Sequence, residues 1–338
     1  MFVLTHDNPD PDALASAAAL SVLIESVSPA KTRIAFGGIV GRSENRALIQ
    51  EMKVTFERIE DIEIPAAIPV ALVDTQPRAG NNSLPAGRIV SVVIDHHPPR
   101  PDTIAATFTD IRPEFGAGAS MLVEYLRAAR IDLPPWLATA LFYAIQSDTM
   151  DLGRETSPAD IETSGFLYPL CDPAAVSRIR HARVPASYFR SLHDALATAR
   201  LHDRVIVASM GTLPYPDMVA EVADLFLQMH GVEWTVALGR HRDRLLLSVR
   251  ARDTGAHAGT LIREAMGDRG SAGGHGTFAG GQIAVRGRTE EDIEVLRAGL
   301  LADLLVALGA DPAVSEPLVG ADATGGSDSG PGDGPDPV

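Results

Sequence analysis

Short apolar runs alternate with longer helical patterns through the first half of this chain, and this rhythm restricts the possible folds more than any other feature. Four runs rich in β-branched residues predict strands at Phe2–Leu4, Arg33–Phe36, Pro69–Val73 and Arg88–Ile94. Helical patterns are found at Ala13–Val27, Ala119–Ala129, Pro135–Gln146 and Pro158–Leu170. Strands that alternate with helices form parallel sheets. We therefore predict an α/β domain in which helices cover both faces of a parallel sheet.

The second half of the chain has a different order of elements. Strands are predicted at Val205–Ser209, Trp234–Gly239, Leu245–Arg250 and Gln282–Val285. Helices are predicted at Met218–Met229, Ala258–Met266 and Glu290–Leu308. A short polar segment joins the two middle strands, which favours an antiparallel hairpin. This part is predicted to be a smaller α+β domain.

These patterns divide the chain into four regions. Residues 1–185 are predicted to form the first domain, residues 186–201 a linker helix and residues 202–310 the second domain. Residues 311–338 are acidic and rich in Gly, Pro and Ser. Such a segment has too few apolar side chains to offset the entropy cost of ordering, so we expect a disordered tail.

The formal net charge of −15 argues against a broad surface for long nucleic acid, because such binding requires many basic side chains. A small anion can still be held locally. The single cysteine, Cys171, excludes an intramolecular disulfide, and the first residues lack the basic region of a secretory signal. The most apolar stretch, Ala13–Val27, is shorter than the roughly 20 residues of a membrane span. We expect a cytoplasmic protein that does not contact membranes.

Side chains that can bind metals cluster in four places of the first domain. Each place directly follows a predicted strand or helix. In open parallel sheets, ligands bind beyond the carboxyl ends of the strands, where loops from distant parts of the chain meet. The four places are therefore expected to lie close together.

The first two places are rich in carboxylates. His6, Asp10 and Asp12 lie in a turn that two prolines stiffen, and oxygen-rich turns of this kind suit hard divalent cations. The same residues are common in Asx turns and helix N-caps, so a structural role stays open for this segment. Asp74 ends the apolar run Pro69–Val73, and by itself it would be a turn or N-cap residue.

The other two places combine acids with imidazoles. Asp95, His96 and His97 follow a buried strand and precede two prolines. Adjacent histidines there favour a metal ligand beside a substrate-contacting group over two solvent-facing loop residues. Asp148 closely follows the C-terminus of the predicted helix Pro135–Gln146, where a carboxylate is unfavourable without a compensating cation. A helix-end acid without a metal is the structural alternative.

Five acids and two histidines can supply two neighbouring divalent ions that share one carboxylate. Water held between such ions ionises near neutral pH and attacks phosphorus, while the ions neutralise charge on the non-bridging oxygens. Oxygen ligands mixed with imidazole favour Mn²⁺, with Mg²⁺ or Co²⁺ as substitutes. The residues predict a two-metal hydrolase.

The motifs His-x-x-x-Asp-x-Asp, Val-Asp-Thr, Asp-His-His and Ser-Asp-Thr occur in this order within residues 1–170. This combination resembles the four metal motifs of the DHH phosphoesterase superfamily. The resemblance implies two ions that share Asp74. Further ligands of the first ion would be His6 and Asp10, and those of the second ion Asp12, His96 and Asp148.

The resemblance also implies roles outside the ligand set. Asp95 would orient the site, and His97 would contact the substrate phosphate as a proton donor to the leaving group. Residues 273–281 resemble the glycine-histidine signature of the DHH-associated C-terminal domain, which would cover roughly Val205–Leu308.

The sequence also suggests contacts to the substrate. Gly273 and Gly274 would let backbone amides approach an anion, with His275 as a further donor, although a tight entry into a strand is the structural alternative. Arg154 and Arg250 are predicted to bind phosphate, while most other arginines are expected to be solvated.

Within the superfamily, the chain is most similar to the nanoRNase and pAp-phosphatase group. This implies hydrolysis of short oligoribonucleotides, linear dinucleotides or pAp. Alternatives are a cyclic-dinucleotide phosphodiesterase, a pyrophosphate or polyphosphate hydrolase and, from another class, an inactive nucleotide-binding sensor. The expected partner is a small nucleotide or short oligonucleotide rather than long duplex nucleic acid. A homodimer paired through the apolar helix Ala119–Ala129 is a further expectation.

Overall fold

The computed structural model describes residues 1–100, 106–253 and 255–320, without the side chain of His275. The chain divides after Val184 into two units, the first covering Met1–Val184 and the second beginning at Pro185. Each unit has a hydrophobic core of its own.

Six strands form the sheet of the first unit within the described residues, and all of its neighbouring pairs are parallel. The strands are β1 (Phe2–Leu4), β2 (Arg33–Phe36), β3 (Phe56–Arg58), β4 (Val70–Val73), β5 (Val90–Asp95) and β6 (Phe108–Ile111). The helices are α1 (Pro11–Val27), α2 (Ser43–Glu51), α3 (Gly118–Ala128), α4 (Pro135–Asp148), α5 (Pro158–Leu167) and α6 (Pro173–Arg180). The strand order is β3-β2-β1-β4-β5-β6. The predicted parallel sheet is confirmed, although the sequence patterns missed β3, β6, α2 and α6.

The two faces of this sheet are covered differently. Val3 of β1 packs in the core that contains α1, α3 and α4, whereas Phe2 and Leu4 belong to a cluster on the opposite face. Within the described part of the chain, that second cluster contains strand residues and connecting segments but no α-helical residue. The α-helices thus pack on one face rather than on the predicted two, because the described residues between β3 and β6 include no α-helix.

Helix α1 begins directly after the first predicted metal segment. Asp10 is its N-cap and accepts a hydrogen bond of 2.9 Å from the backbone N–H of Ala13, while Pro11 occupies the first turn. Residues 11–21 of the helix are buried, most of them Ala or Leu, so α1 lies inside the unit as predicted. Among the described residues, no helix combines the length and apolar character that a bilayer crossing requires.

The second unit contains a seven-stranded mixed sheet with the order β11-β12-β10-β9-β8-β7-β13 among its described residues. Its helices are α7 (Ala186–Thr198), α8 (Met218–Phe226), α9 (Ala258–Met266) and α10 (Glu290–Ala307). Its strands are β7 (Arg200–His202), β8 (Val205–Thr212), β9 (Trp234–His241), β10 (Arg244–Ala251), β11 (Ser271–His275), β12 (Phe278–Ala284) and β13 (Glu316–Pro317). The predicted hairpin of β9 and β10 is present, and β8 pairs with β9 in parallel.

Two predicted boundaries differ from the structure. The linker helix was predicted over residues 186–201, but α7 ends at Thr198. The Thr198 hydroxyl accepts a hydrogen bond from the backbone N–H of Ser209 in β8, and the helix belongs to the second unit. The predicted tail begins too early, because β13 pairs with β7 and Arg200 donates to the Ser315 hydroxyl at 2.7 Å. The remainder of the tail, residues 321–338, lies outside the described residues.

The glycine-rich segment forms a β-hairpin, which agrees with the structural alternative of a tight entry into a strand. Gly273 pairs with Gly280, and Gly274 pairs with Ala279. The glycines permit close packing, since a Cβ added at Gly259 of α9 would lie 1.9 Å from the carbonyl oxygen of Gly274. Backbone pairing and contact with α9 thus outweigh the low strand preference of glycine.

Replacement of Gly259 by alanine is expected to destabilise the second unit by about 1–3 kcal/mol, because the new methyl group overlaps backbone atoms that cannot move aside. Gly299 of α10 is the matched control, since a Cβ there meets open space. Gly299→Ala is expected to stabilise by roughly 0.5–1 kcal/mol, as alanine favours helix. Urea unfolding of both variants measures the difference, and equal stabilities would contradict the close contact.

Candidate metal centre

The four predicted metal segments meet at the carboxyl edge of the first sheet. Potential ligand atoms lie within 4.8 Å of one another in three groups of side chains. The groups are His6 with Asp10 and Asp74, Asp12 with His96 and Asp148, and Asp74 with His96 and His97. All six residues predicted as ligands are therefore brought together, as expected for parallel strands that end at one edge.

His6 and His96 present the same ring atom to the cluster. The Nδ1 atom of His6 lies 2.9 Å from the carbonyl of Asp7, and that of His96 lies 3.2 Å from the carbonyl of Phe115. A carbonyl can only accept, so each Nδ1 carries the proton and each Nε2 is left as a potential ligand. Both imidazoles are thus oriented for metal binding.

The N-terminus of α3 fixes the carboxylate of Asp12. The two carboxylate oxygens of Asp12 accept hydrogen bonds of 2.8 Å from the backbone N–H groups of Gly118 and Ala119. These amides carry the partial positive charge of a helix N-terminus, which favours an anion. Asp12 is fully buried, so its position is set by the backbone of α3.

Asp74 lies between the two groups and faces both. Its Oδ2 is 3.4 Å from Nε2 of His6, and its Oδ1 is 3.3 Å from Nε2 of His96. The residue adopts a positive φ of 57°, an uncommon conformation for a residue other than glycine, which points to a functional constraint. One carboxylate with its two oxygens turned toward separate imidazoles has the arrangement of a bridging ligand.

The side chains present fit divalent cations. Oδ1 of Asp74 is buried, and no described residue meets hydrogen-bond geometry with it, although Nε2 of His96 lies 3.3 Å away. Its charge must therefore be compensated either by a protonated imidazole or by a bound cation. Burial, together with the charge of Asp74, raises the pKa of Asp12 to about 7. Burial and the charges of Asp12 and Asp10 raise the pKa of Asp148 well above its usual value. Such repulsion among carboxylates is what bound cations would relieve.

The same negative charge favours the protonated form of the two metal-facing imidazoles. Burial alone would lower the pKa of His6 and of His96, but the neighbouring carboxylates, Asp74 above all for His96, raise both values well above 6.5. Burial alone would raise the pKa of Asp74, but His6 and His96 hold it well below its usual range. Without a metal, protons on the imidazoles compensate the carboxylate charge.

Asp95 belongs to none of the three cation groups and contacts His97. Its Oδ1 accepts from Nδ1 of His97 at 2.8 Å, and its Oδ2 accepts from the Gln76 side-chain amide at 2.7 Å. Burial alone would lower the pKa of His97, but the hydrogen bond to Asp95 and the charge of Asp74 raise it. Asp95 therefore orients His97 and favours its protonated form.

The predicted substrate-binding residues have local partners. A guanidinium nitrogen of Arg154 donates to the carbonyl of Asp148 at 3.3 Å. In the second unit, Arg250 pairs with Asp224 at 2.5 Å and also donates to the Ser248 hydroxyl at 2.7 Å. Gly273 and Gly274 belong to β11, and the predicted role of His275 concerns a side chain outside the described residues. Contacts of these residues with a substrate remain predictions.

Two family models match the chain. The DHH family, N-terminal domain, matches residues 1–145, and the DHHA1 domain matches residues 202–300. Together they match more than half of the chain. The chain belongs to the DHH family. The DHH match contains every residue of the cation groups except Asp148, which lies three residues beyond its end, and the DHHA1 match contains the glycine-rich hairpin.

Two relatives share sequence with most of this chain. An uncharacterized protein of Methanocaldococcus jannaschii is 34% identical over 285 residues, which cover 84% of this chain and 58% of that protein. A second uncharacterized protein of that organism is 25% identical over 318 residues, covering 87% and 90% of the two chains. This DHH-family chain thus spans only a little over half of the first relative.

The solved structure of an exopolyphosphatase-related protein from Bacteroides fragilis superposes with a TM-score of 0.64 at 14% identity. The match covers 91% of this chain and 93% of that chain. At this identity the likeness shows a shared fold.

Several residues of the DHH domain that shape the site were missed from sequence. Gln76 is buried and links Asp95 to the backbone. Its side-chain amide also donates to the Pro98 carbonyl at 3.0 Å, and its Oε1 accepts from the N–H of Arg100 at 2.8 Å. Its position two residues after the predicted ligand Asp74 was the sequence feature that could have indicated a role at the site. The amides of Gly118 and Ala119 gave no signal, because backbone donors leave no trace in residue type.

Stripped of divalent ions, the DHH domain is expected to lose stability as the pH rises above about 6.5. His6 and His96 have raised pKa values, so the folded state retains protons that the unfolded chain has released. That stabilisation is complete below the unfolded value and is lost as pH rises through the folded values. Melting temperatures from about pH 6.5 to about pH 9, with chelator or with Mn²⁺, measure the slope. Equal slopes in both series would contradict the exchange of protons for metal.

Proposed function

We propose that this chain is a two-metal phosphoesterase that hydrolyses small nucleotide phosphoesters. The observation that carries the proposal is the position of Asp74, whose two oxygens face His6 and His96 at 3.4 and 3.3 Å. Each side of this carboxylate is completed by further acids, Asp10 on one side and Asp12 with Asp148 on the other. Two neighbouring cation sites that share a carboxylate are a recurring arrangement in phosphoester hydrolysis.

Divalent cations bound there would supply positive charge beside the phosphate oxygens and would acidify water at the site. The chain itself supplies the ligand geometry. Backbone groups fix the two metal-facing imidazoles and Asp12, so little reorganisation is required when a charged substrate enters. Prepositioned charge of this kind favours a transition state more than a flexible cluster does.

His97 is placed to assist the leaving group. Its side chain is 38% exposed, in contrast to the buried Asp95 that accepts its Nδ1 proton. The raised pKa favours the protonated form of the imidazole, which can donate a proton to a departing oxygen. Gly273, Gly274, His275, Arg154 and Arg250 are proposed to contact the substrate, as predicted from the sequence.

The substrate class follows from size and charge. A net charge of −15 disfavours long nucleic acid, whereas an anion the size of a dinucleotide can be neutralised locally by two cations. The resemblance of the metal motifs to those of nanoRNases and pAp phosphatases favours short oligoribonucleotides, linear dinucleotides or pAp. Mn²⁺ is the proposed ion, because its ligands would be carboxylates and imidazoles together.

A substrate panel tests this proposal. Product release is measured in Mn²⁺ with pAp, linear diadenylate, cyclic diadenylate, short RNA and pyrophosphate, and again with excess chelator. We expect pAp or the linear dinucleotide to react at least about tenfold faster than the cyclic dinucleotide or pyrophosphate, a difference of roughly 1.4 kcal/mol. Preference for pyrophosphate or the cyclic compound would reassign the substrate. Ligand binding without any turnover would indicate a sensor.

A further inference from the structure

The segment of residues 115–120 holds two of the proposed ligands through its backbone. The Phe115 carbonyl lies 3.2 Å from Nδ1 of His96, and the N–H groups of Gly118 and Ala119 donate to Asp12 at 2.8 Å each. Asp12 and His96 belong to the same cation group. The position of this segment therefore sets the spacing of two ligands of one ion.

Asp160, at the start of α5, holds this segment from behind. Its Oδ2 accepts from the N–H of Gly116 at 2.8 Å, and its Oδ1 accepts from the Ser120 hydroxyl at 2.5 Å. The same carboxylate accepts from the N–H and the hydroxyl of Ser157, at 2.8 and 2.6 Å. Asp160 is fully buried, and four donors offset the cost of removing a charge from water.

Gly116 makes this close approach possible. A Cβ at this position would lie 2.7 Å from the Glu155 carbonyl oxygen and 2.9 Å from Oδ2 of Asp160. Any larger residue would push the segment away from the carboxylate that anchors it. The close contact between segment 115–120 and Asp160 thus requires glycine at position 116 as well as the Asp160 carboxylate.

We propose that Asp160 is a positioning residue for the cation held by Asp12 and His96. It acts through the backbone of segment 115–120, which it fixes at Gly116 and Ser120. The inference rests on the proposed function, because it presupposes that the site binds metal. Groups that orient metal ligands from outside typically change metal affinity by about 10–100-fold when removed.

A simpler role for Asp160 is to cap α5. Ser157 and Asp160 form a capping box, in which each side chain bonds to the backbone N–H of the other. Capping alone would affect stability and leave metal affinity unchanged. Two serines separate the roles, because both donate a hydroxyl to Asp160 but only Ser120 belongs to the segment that holds the ligands.

The test is calorimetric titration of the full chain with Mn²⁺, at a temperature where circular dichroism shows each variant folded. In Asp160→Ala and Ser120→Ala, one of the two ions is expected to bind at least about tenfold more weakly, while the other changes less than about twofold. Ser157→Ala is the matched control, and it is expected to melt earlier yet bind both ions within about twofold of wild type. Ser120→Ala keeps the test valid if Asp160→Ala fails to fold.

Wild-type affinity for both ions in Ser120→Ala and in folded Asp160→Ala would overturn this inference alone and leave Asp160 as a helix cap. An equal loss of Mn²⁺ affinity in Ser157→Ala would also overturn the inference, because a general loss of order around α5 would then explain the weaker binding. Absence of Mn²⁺ binding by the wild-type chain would overturn the proposed function and this inference together.

Discussion

Asp74→Asn is expected to lower phosphoester turnover by at least about 10³-fold, because both proposed ions lose a charged ligand. The lost charge stabilisation is worth several kcal/mol, and roughly 1.4 kcal/mol corresponds to a factor of ten in rate. The amide matches the carboxylate in shape but presents one neutral oxygen in place of two charged ones. No other side chain faces both His6 and His96 in the described cation groups. The rate with the preferred substrate of the panel, in saturating Mn²⁺, measures the effect.

Asp151→Asn is the matched control for this variant. Asp151 lies three residues after Asp148, but its exposed carboxylate pairs with Arg180 at 2.6 Å. A surface ion pair contributes about 0–1 kcal/mol, so the variant should retain activity within about twofold. Turnover by a folded Asp74→Asn protein at near wild-type rate would refute the role of Asp74 as a shared ligand.

Removal of divalent ions is expected to lower the melting temperature of the DHH domain by about 10–20 °C. An ion present at a hundred times its dissociation constant stabilises the folded state by about 2.7 kcal/mol, and two ions contribute about twice that. In a domain of this size, each kcal/mol shifts the melting temperature by roughly 2–4 °C. Thermal unfolding in Mn²⁺ and in excess chelator measures the difference, and identical curves would contradict binding at the cluster.

Asp148→Asn separates specific binding from a general salt effect. Burial and the charges of Asp12 and Asp10 disfavour the ionised form of Asp148, as its raised pKa indicates. The neutral amide removes that repulsion, so the metal-free variant should be more stable than the metal-free wild type. It should also gain less from Mn²⁺, because one ligand has been weakened. A variant with unchanged response to Mn²⁺ would place the ion elsewhere.

The ligands were predictable from sequence because parallel strands direct their carboxyl ends to one edge. Asp74 follows the apolar strand β4, and His96 follows Asp95, the last residue of β5, so the predicted strands indicated that these segments would meet. The surroundings of the ligands were not predictable in this way. The bonds from Gly118 and Ala119 to Asp12, and from Gly116 to Asp160, depend on how α3 and α5 pack.

Errors in the predicted fold have similar causes. Glycine-rich β11 was not predicted as a strand because strand preference is weak there, yet it pairs with β12 and packs on α9. The tail was expected to start at residue 311, but β13 adds a short strand beside β7. In both cases tertiary contacts outweighed the local pattern. The apolar residues of α3, from which a homodimer was predicted, are buried in the core of the first unit, and the homodimer itself stays a prediction.

The central claim is that one carboxylate, Asp74, joins two cation sites at the edge of the DHH domain. The most direct test is anomalous scattering from crystals grown with Mn²⁺. We predict two peaks about 3.5–4 Å apart on either side of Asp74, one beside His6 and Asp10 and the other beside Asp12, His96 and Asp148. A single peak that Asp74 does not contact, or no peak at this edge, would contradict the account.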